Sequence, residues 1–214
     1  MKVSRIVCAL AAVLVSINLS LAAKNQAKDK DPKVLLVYSS GEPYKKMDEI
    51  KSPEELEAIT TPTPVDMNSR IASKRIRDNL EKQGVAVKLA RVEDMIDWRE
   101  ILKYETIVIG SAARYWNMTW EAKRFFETLF FKIYFNEGHG KDRGKTKGKA
   151  RIFAIFSTAE IVPSAESALA TMESVITDCG GRIALRMVLH EKMSLEDAYS
   201  EIDKFSAALA VLSR

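Results

Sequence analysis

The residues best suited to chemistry follow an apolar run near the middle of the chain. Residues 110–118 read Gly-Ser-Ala-Ala-Arg-Tyr-Trp-Asn-Met. Tyr115 and Trp116 offer flat apolar faces on which a planar ring could stack, and Arg114 offers a fork of donors for an anion. The competing interpretation is that both aromatic side chains only cover the end of a sheet, and residue type alone favours it.

Other reactive residues are sparse. His139 and His190 are the only histidines and match no metal-ligand spacing. Glu160 and Glu166 could form a carboxylate pair, although surface charge is the more ordinary interpretation. The sequence contains no Walker A, G-x-G-x-x-G or G-x-S-x-G pattern. Cys179 is the one cysteine beyond the N-terminal segment, which favours a small buried hydrophobe over a redox pair.

The N-terminal segment has the pattern of a secretory signal peptide. Lys2 and Arg5 precede a mostly apolar stretch, and small residues stand at the −3 and −1 positions of a cleavage site after Ala22. We predict a signal peptide over residues 1–22, a polar tether over 23–32 and one folded domain over 33–214. The signal is Sec-like, so the predicted location is periplasmic or extracellular, without stable membrane insertion after cleavage. An uncleaved N-terminal anchor is the alternative.

The charge pattern does not favour a nucleic-acid partner. The formal net charge is +4, and two of the positive charges belong to the predicted signal peptide. The remaining Lys and Arg residues are interspersed with acids. The one basic cluster, within residues 141–149, lies in a glycine-rich stretch without aromatic residues and indicates a solvated loop. We therefore predict small-molecule partners and no nucleic acid.

Strand and helix patterns alternate along the predicted domain. Continuous apolar runs predict three strands that are covered on both faces, at residues 34–38, 106–109 and 152–156. Runs interrupted by a charge predict edge strands at residues 85–89 and 182–189. Amphipathic stripes predict helices within residues 71–80, 94–102, 122–133, 165–176 and 195–209.

This alternation predicts an α/β three-layer sandwich around a five-stranded parallel sheet with strand order 2-1-3-4-5. In that order the topological switch point lies between the first and third strands. Ligands bind there, outside the carboxyl ends of the strands. The loops that matter are then residues 39–65, 110–118 and 157–163.

Several residues at the predicted boundaries have turn or cap chemistry. Gly110 would permit a sharp exit from the third strand. Thr119 is a good N-cap for the helix that follows. Thr63, Pro64 and Asp66 form an N-cap, N1 and N3 set for the first helix.

The motifs, in their order, resemble those of the flavodoxin-like NAD(P)H:quinone oxidoreductases and FMN reductases. The sequence G-S-x-x-R-Y-x-N-M at residues 110–118 is similar to the second flavin loop of that family. Lys147-Gly148-Lys149, leading into Ile-Phe-Ala-Ile-Phe-Ser-Thr, is similar to its fourth strand, and residues 34–40 are similar to its first. The loop between the first strand and the first helix departs from the family pattern by an insertion at about residues 41–64.

The resemblance implies a flavodoxin-like fold, an FMN cofactor, NAD(P)H as an electron donor and a quinone or similar small acceptor. It implies a phosphate cradle made by Ser39, Ser40, Asn68 and Ser69. The residues implied to flank the flavin ring are Ser111, Ala112, Ala113, Arg114, Tyr115, Trp116, Asn117, Ser157, Thr158, Ala159 and Glu160.

Two alternatives remain open at this point. The domain could have kept the fold and lost FMN, in which case it would be a ligand- or protein-binding module that uses the inserted segment. It could also be a one-electron flavodoxin shuttle, although such shuttles usually present an acidic face. A homo-oligomer is compatible with either enzyme or binding module.

Overall fold

The computed structural model describes residues 31–40, 68–95, 97–130, 151–179 and 181–213. The predicted signal peptide, most of the tether and the predicted insertion lie outside these ranges. The strands are β1 (Val34–Ser39), β2 (Val87–Arg91), β3 (Thr106–Arg114), β4 (Asn117–Met118), β5 (Ile152–Ala159) and β6 (Arg182–His190). The α-helices are α1 (Ser69–Lys82), α2 (Trp98–Ile101), α3 (Trp120–Phe125), α4 (Val162–Asp178) and α5 (Leu195–Leu212). A 3-10 turn (Val92–Asp94) precedes α2, and a π-helical turn (Phe126–Phe130) continues α3.

Five of the strands form a parallel sheet in the spatial order β2-β1-β3-β5-β6. With β4 set aside, this is the predicted order 2-1-3-4-5. The predicted strand count was wrong, because β4 adds a sixth strand that pairs antiparallel with the end of β3. The predicted loop at residues 110–118 is therefore mostly strand, since β3 keeps pairing with β5 as far as Ala112.

Alternating apolar positions build one core on each face of the sheet. Leu35 and Ile107 belong to a core that includes Leu169 of α4. Leu36 belongs to the opposite core, which includes Ile76 of α1. The predicted edge strands β2 and β6 lie at the two ends of the sheet, as expected.

Gly110 lies inside β3 rather than at its exit, so the predicted sharp turn at this residue was wrong. The space beside it is filled by the ring of Phe156, and a Cβ at Gly110 would stand 2.0 Å from Cζ of that ring. Glycine is needed here because the neighbouring strand's phenyl ring crosses over the backbone.

Side-chain caps begin the helices on both sides of the sheet. Thr119 caps α3 by accepting from the N–H of Ala122, as predicted. Helix α1 begins at Ser69, and its cap is Asn68, whose side chain accepts from the N–H of Ile71. The cap of α1 was thus predicted too early, at Thr63, which lies outside the described residues. Asn at this position satisfies a first-turn donor without help from the earlier residues.

A separate question is whether any helix could cross a membrane. Among the helices that the structure describes, none has the length and apolar character for this.

Candidate functional site

The carboxyl ends of β1, β3 and β5 open onto a cavity of about 540 Å³. Small-molecule pockets in proteins have volumes of about 300–1,000 Å³. The cavity lies where the strand order reverses between β1 and β3, which is where ligands bind in open α/β sheets. Ten residues from the sequence-based site line it, namely Ser40, Asn68, Ala112, Ala113, Arg114, Tyr115, Trp116, Thr158, Ala159 and Glu160.

One wall of the cavity is the β3–β4 hairpin. Ala113 pairs with Met118 and Arg114 with Asn117, so the turn consists of Tyr115 and Trp116 alone. These two residues have φ values of 49° and 65°. Positive φ at both central positions is typical of a type I′ hairpin turn, which normally carries Asn or Gly.

Bulky side chains at these dihedrals store strain. The left-handed region costs a residue with a Cβ about 1–2 kcal/mol. Tyr115 is nevertheless 99% exposed and Trp116 is 56% exposed, so neither is held there by burial of its ring. The turn is held by the hairpin pairing and by Ser167 of α4, whose Oγ donates to the carbonyl of Trp116 at 2.6 Å. Strain of this kind is concentrated at functional sites.

A buried hydroxyl network supports the cavity from below. Ser39 Oγ and Thr119 Oγ1 are hydrogen-bonded to each other, and the backbone N–H of Thr119 donates to Ser111 Oγ at 3.1 Å. Ser111 Oγ in turn donates to the carbonyl of Ala112 at 2.8 Å. Ser69 Oγ donates to the carbonyl of Ser39. The network therefore connects the start of α1, the ends of β1 and β3, and the start of α3.

Five residues of the sequence-based site do not line the cavity. Ser39, Ser69 and Ser111 are fully buried in the hydroxyl network, so they position the walls rather than face the opening. Ser157 lies in register with Ser111 on the same face of the sheet, and its buried Oγ has no partner among the described residues. Asn117 turns inward to its own hairpin, where its Oδ1 accepts from the N–H of Met118.

Three residues that the sequence-based site lacked also line the cavity: Ile161, Ser164 and Glu191. Ile161 and Ser164 lie at the N-terminal end of α4, directly after Glu160. Glu191 follows β6, and its N–H donates to the carbonyl of Ala159. The rule that ligands bind at the carboxyl edge applies to β6 as well, so residue 191 could have been found from the predicted end of that strand.

The charged side chains on the cavity are Arg114, Glu160 and Glu191, and all three are exposed. None of them forms an ion pair with a described residue. By contrast, Glu166 and Glu173 lie further along α4 and both bind Arg186. Glu166 is thus part of a surface ion pair, as the sequence favoured, and it is not a catalytic partner for Glu160.

The remaining candidates from the sequence do not join this site. His190 is the last residue of β6 and lies in register with Ala159, although it does not line the cavity. Cys179 caps the C-terminal end of α4, and burial raises the pKa of its thiol, with a smaller contribution from Asp178. In the described ranges no group of three His, Cys, Asp or Glu residues could hold a metal ion.

Comparison with known proteins identifies the fold. The chain matches no family model and no curated protein sequence. It is similar to the structure of a flavodoxin from the domain Archaea, with 15% identity, a TM-score of 0.56 and coverage of 84% of this chain and 97% of that chain. Similar values hold for two-electron reduced Megasphaera elsdenii flavodoxin (16%, 0.56, 83% and 98%). They also hold for a flavodoxin, WrbA-like protein from Agrobacterium tumefaciens (13%, 0.56, 86% and 98%). The fold of this chain is therefore flavodoxin-like.

Proposed function

We propose that this chain is an exported FMN-binding oxidoreductase that passes electrons from a reduced donor such as NAD(P)H to a quinone or a similar small acceptor. The observation that carries the proposal is the strained β3–β4 turn. It holds Tyr115 and Trp116 at the cavity on the switch point of a flavodoxin-like sheet. A two-residue turn that keeps exposed aromatic rings in an unfavourable conformation is better explained by a ligand than by packing.

The ring end of FMN fits the side of the cavity between the hairpin and the end of β5. Trp116 and Tyr115 provide aromatic faces, and the strand ends at Ala112 and Thr158 bring backbone groups to the cavity. Bound flavin supplies the hydride and electron transfer chemistry. The residues of this chain bind the ring, orient it and limit the access of water from the hairpin side.

The phosphate end fits the side of the cavity formed by Ser40 and Asn68. Helix α1 begins there, and the N-terminal end of a 14-residue helix carries a partial positive charge that favours a phosphate dianion. The acidic residues Glu160 and Glu191 follow β5 and β6, on the other side of β1 from α1's strand crossover to β2. This order separates the carboxylates from the proposed phosphate position.

Titration of the purified full chain with FMN tests the proposal. We expect flavin fluorescence to be quenched and a yellow complex to co-elute with the protein. Trp116→Ala should weaken FMN binding by about tenfold, which is about 1.4 kcal/mol, because a stacking face is lost. The matched control is Trp120→Ala, since Trp120 is 64% exposed on α3 and does not line the cavity. A chain that ignores excess FMN, or equal effects of the two variants, would contradict the proposal.

One observation favours a second function, a binding module that has lost FMN. The hydroxyls of Ser39 and Ser69, which the resemblance assigns to the phosphate, are already used inside the protein. The phosphate would then depend on Ser40, Asn68 and the helix end. Inorganic phosphate and riboflavin separate the two functions: an FMN site should bind FMN more tightly than riboflavin, whereas a module without a phosphate cradle should not distinguish them.

Export and electron partners are further parts of the proposal. The predicted signal peptide supports a periplasmic or extracellular location, which fractionation of cells that express the full chain would test. Oxidation of NADH or NADPH by the FMN-loaded chain, with a water-soluble quinone as acceptor, tests the donor and acceptor. Analytical ultracentrifugation tests whether the chain forms a homo-oligomer.

A further inference from the structure

The cavity carries an excess of negative charge that the rest of this surface does not. Two carboxylates, Glu160 and Glu191, and one guanidinium, Arg114, line it, and none is neutralised by an ion pair with a described residue. On the neighbouring surface of α4 and β6, carboxylates are instead paired, as Glu166 and Glu173 are with Arg186. The potential in the cavity therefore attracts cations and repels anions.

The same cavity presents aromatic faces. Tyr115 and Trp116 project from the hairpin with most of their ring surface uncovered. The face of a Tyr or Trp ring attracts a cation within about 6 Å of its centroid, and the attraction grows when water is displaced. Aromatic faces and carboxylates on one cavity are the combination that recognises a flat organic cation.

We infer that the small reaction partner recognised at this cavity is a planar heteroaromatic cation, held between the hairpin aromatics and the carboxylates of Glu160 and Glu191. The inference rests on the proposed function in treating this ligand as the partner of the flavin. An anionic partner of the same shape is rejected, because it would face two carboxylates. The specificity resides in Glu160 and Glu191, because both are exposed and neither takes part in the hydroxyl network.

Two bicyclic probes of matched size test the inference on the full chain, with and without saturating FMN. The probes are the cation 1-methylquinolinium and the anion 2-naphthoate, titrated by calorimetry. We expect the cation to bind at least about tenfold more tightly than the anion, and we expect this preference to shrink as ionic strength rises. Glu160→Gln with Glu191→Gln should remove most of the preference.

The control is Glu127→Gln with Glu196→Gln. It makes the same change in net charge at two exposed residues that do not line the cavity, and it should keep the preference. Equal binding of both probes, or equal loss of preference in both double variants, overturns the inference. FMN binding without cation preference overturns the inference alone. Cation preference without FMN binding supports the role of the carboxylates and overturns the proposed function.

Discussion

Replacing Thr119 by Val should destabilise the domain far more than its small change in shape suggests. The hydroxyl of Thr119 caps α3 and is hydrogen-bonded to Ser39 Oγ, and the residue is only 2% exposed. Loss of a helix cap costs about 1 kcal/mol. A buried hydroxyl left without its partner costs about 1–3 kcal/mol more. We therefore expect the free energy of unfolding to fall by about 2–4 kcal/mol.

Urea unfolding followed by far-UV circular dichroism measures this change. Thr128→Val is the matched control, because Thr128 is exposed and only donates to the carbonyl of Arg124. It should change the stability by less than about 0.5 kcal/mol. Adding Ser39→Ala to Thr119→Val should cost less than the sum of the single variants, since the orphaned hydroxyl is then removed as well. A loss below about 0.5 kcal/mol in Thr119→Val would refute the assigned role of the network.

Three further predictions follow from single contacts. Gly110→Ala should destabilise by at least about 1–3 kcal/mol in urea unfolding, because its Cβ would collide with Phe156; Phe156→Leu should recover part of this loss, and no recovery would contradict the collision. Tyr115→Gly should leave the Tm unchanged or raise it, by up to about 1 kcal/mol of stability, because relief of the positive φ exceeds the entropic cost of glycine; a lower Tm would contradict the strain. The Arg75 guanidinium holds the pKa of Asp203 below its usual range, so this half-exposed pair stabilises the fold by at most about 1 kcal/mol and does so above about pH 4. As the pH falls through the folded pKa, the stability difference between wild type and Asp203→Asn should vanish, and a difference that persists in acid would exclude the ion pair as its source.

The sequence was a good guide to the sheet. Continuous apolar runs mark strands that are covered on both faces, and charges within the runs at residues 85–89 and 182–189 mark the edges. These patterns are local, and the parallel order follows from them through general rules of connection. The strand β4 was missed because two residues are too few to show a pattern.

The cavity was less accessible from the sequence. Its residues follow strand ends, so most were found once the strand order was known. The hydroxyl network was not, because the bond between Ser39 and Thr119 joins residues 80 positions apart. The positive φ angles of Tyr115 and Trp116 were also hidden, since neither residue type favours that conformation.

The hairpin is fastened at both of its ends and at its tip. Strand pairing fixes its arms, Thr119 fixes its exit, and Ser167 holds the carbonyl of Trp116. A wall secured in this way does not have to become ordered when a ligand arrives, so association should be governed by diffusion and charge rather than by a slow closing motion. Stopped-flow mixing should therefore show an observed binding rate that rises linearly with ligand concentration and does not reach a plateau.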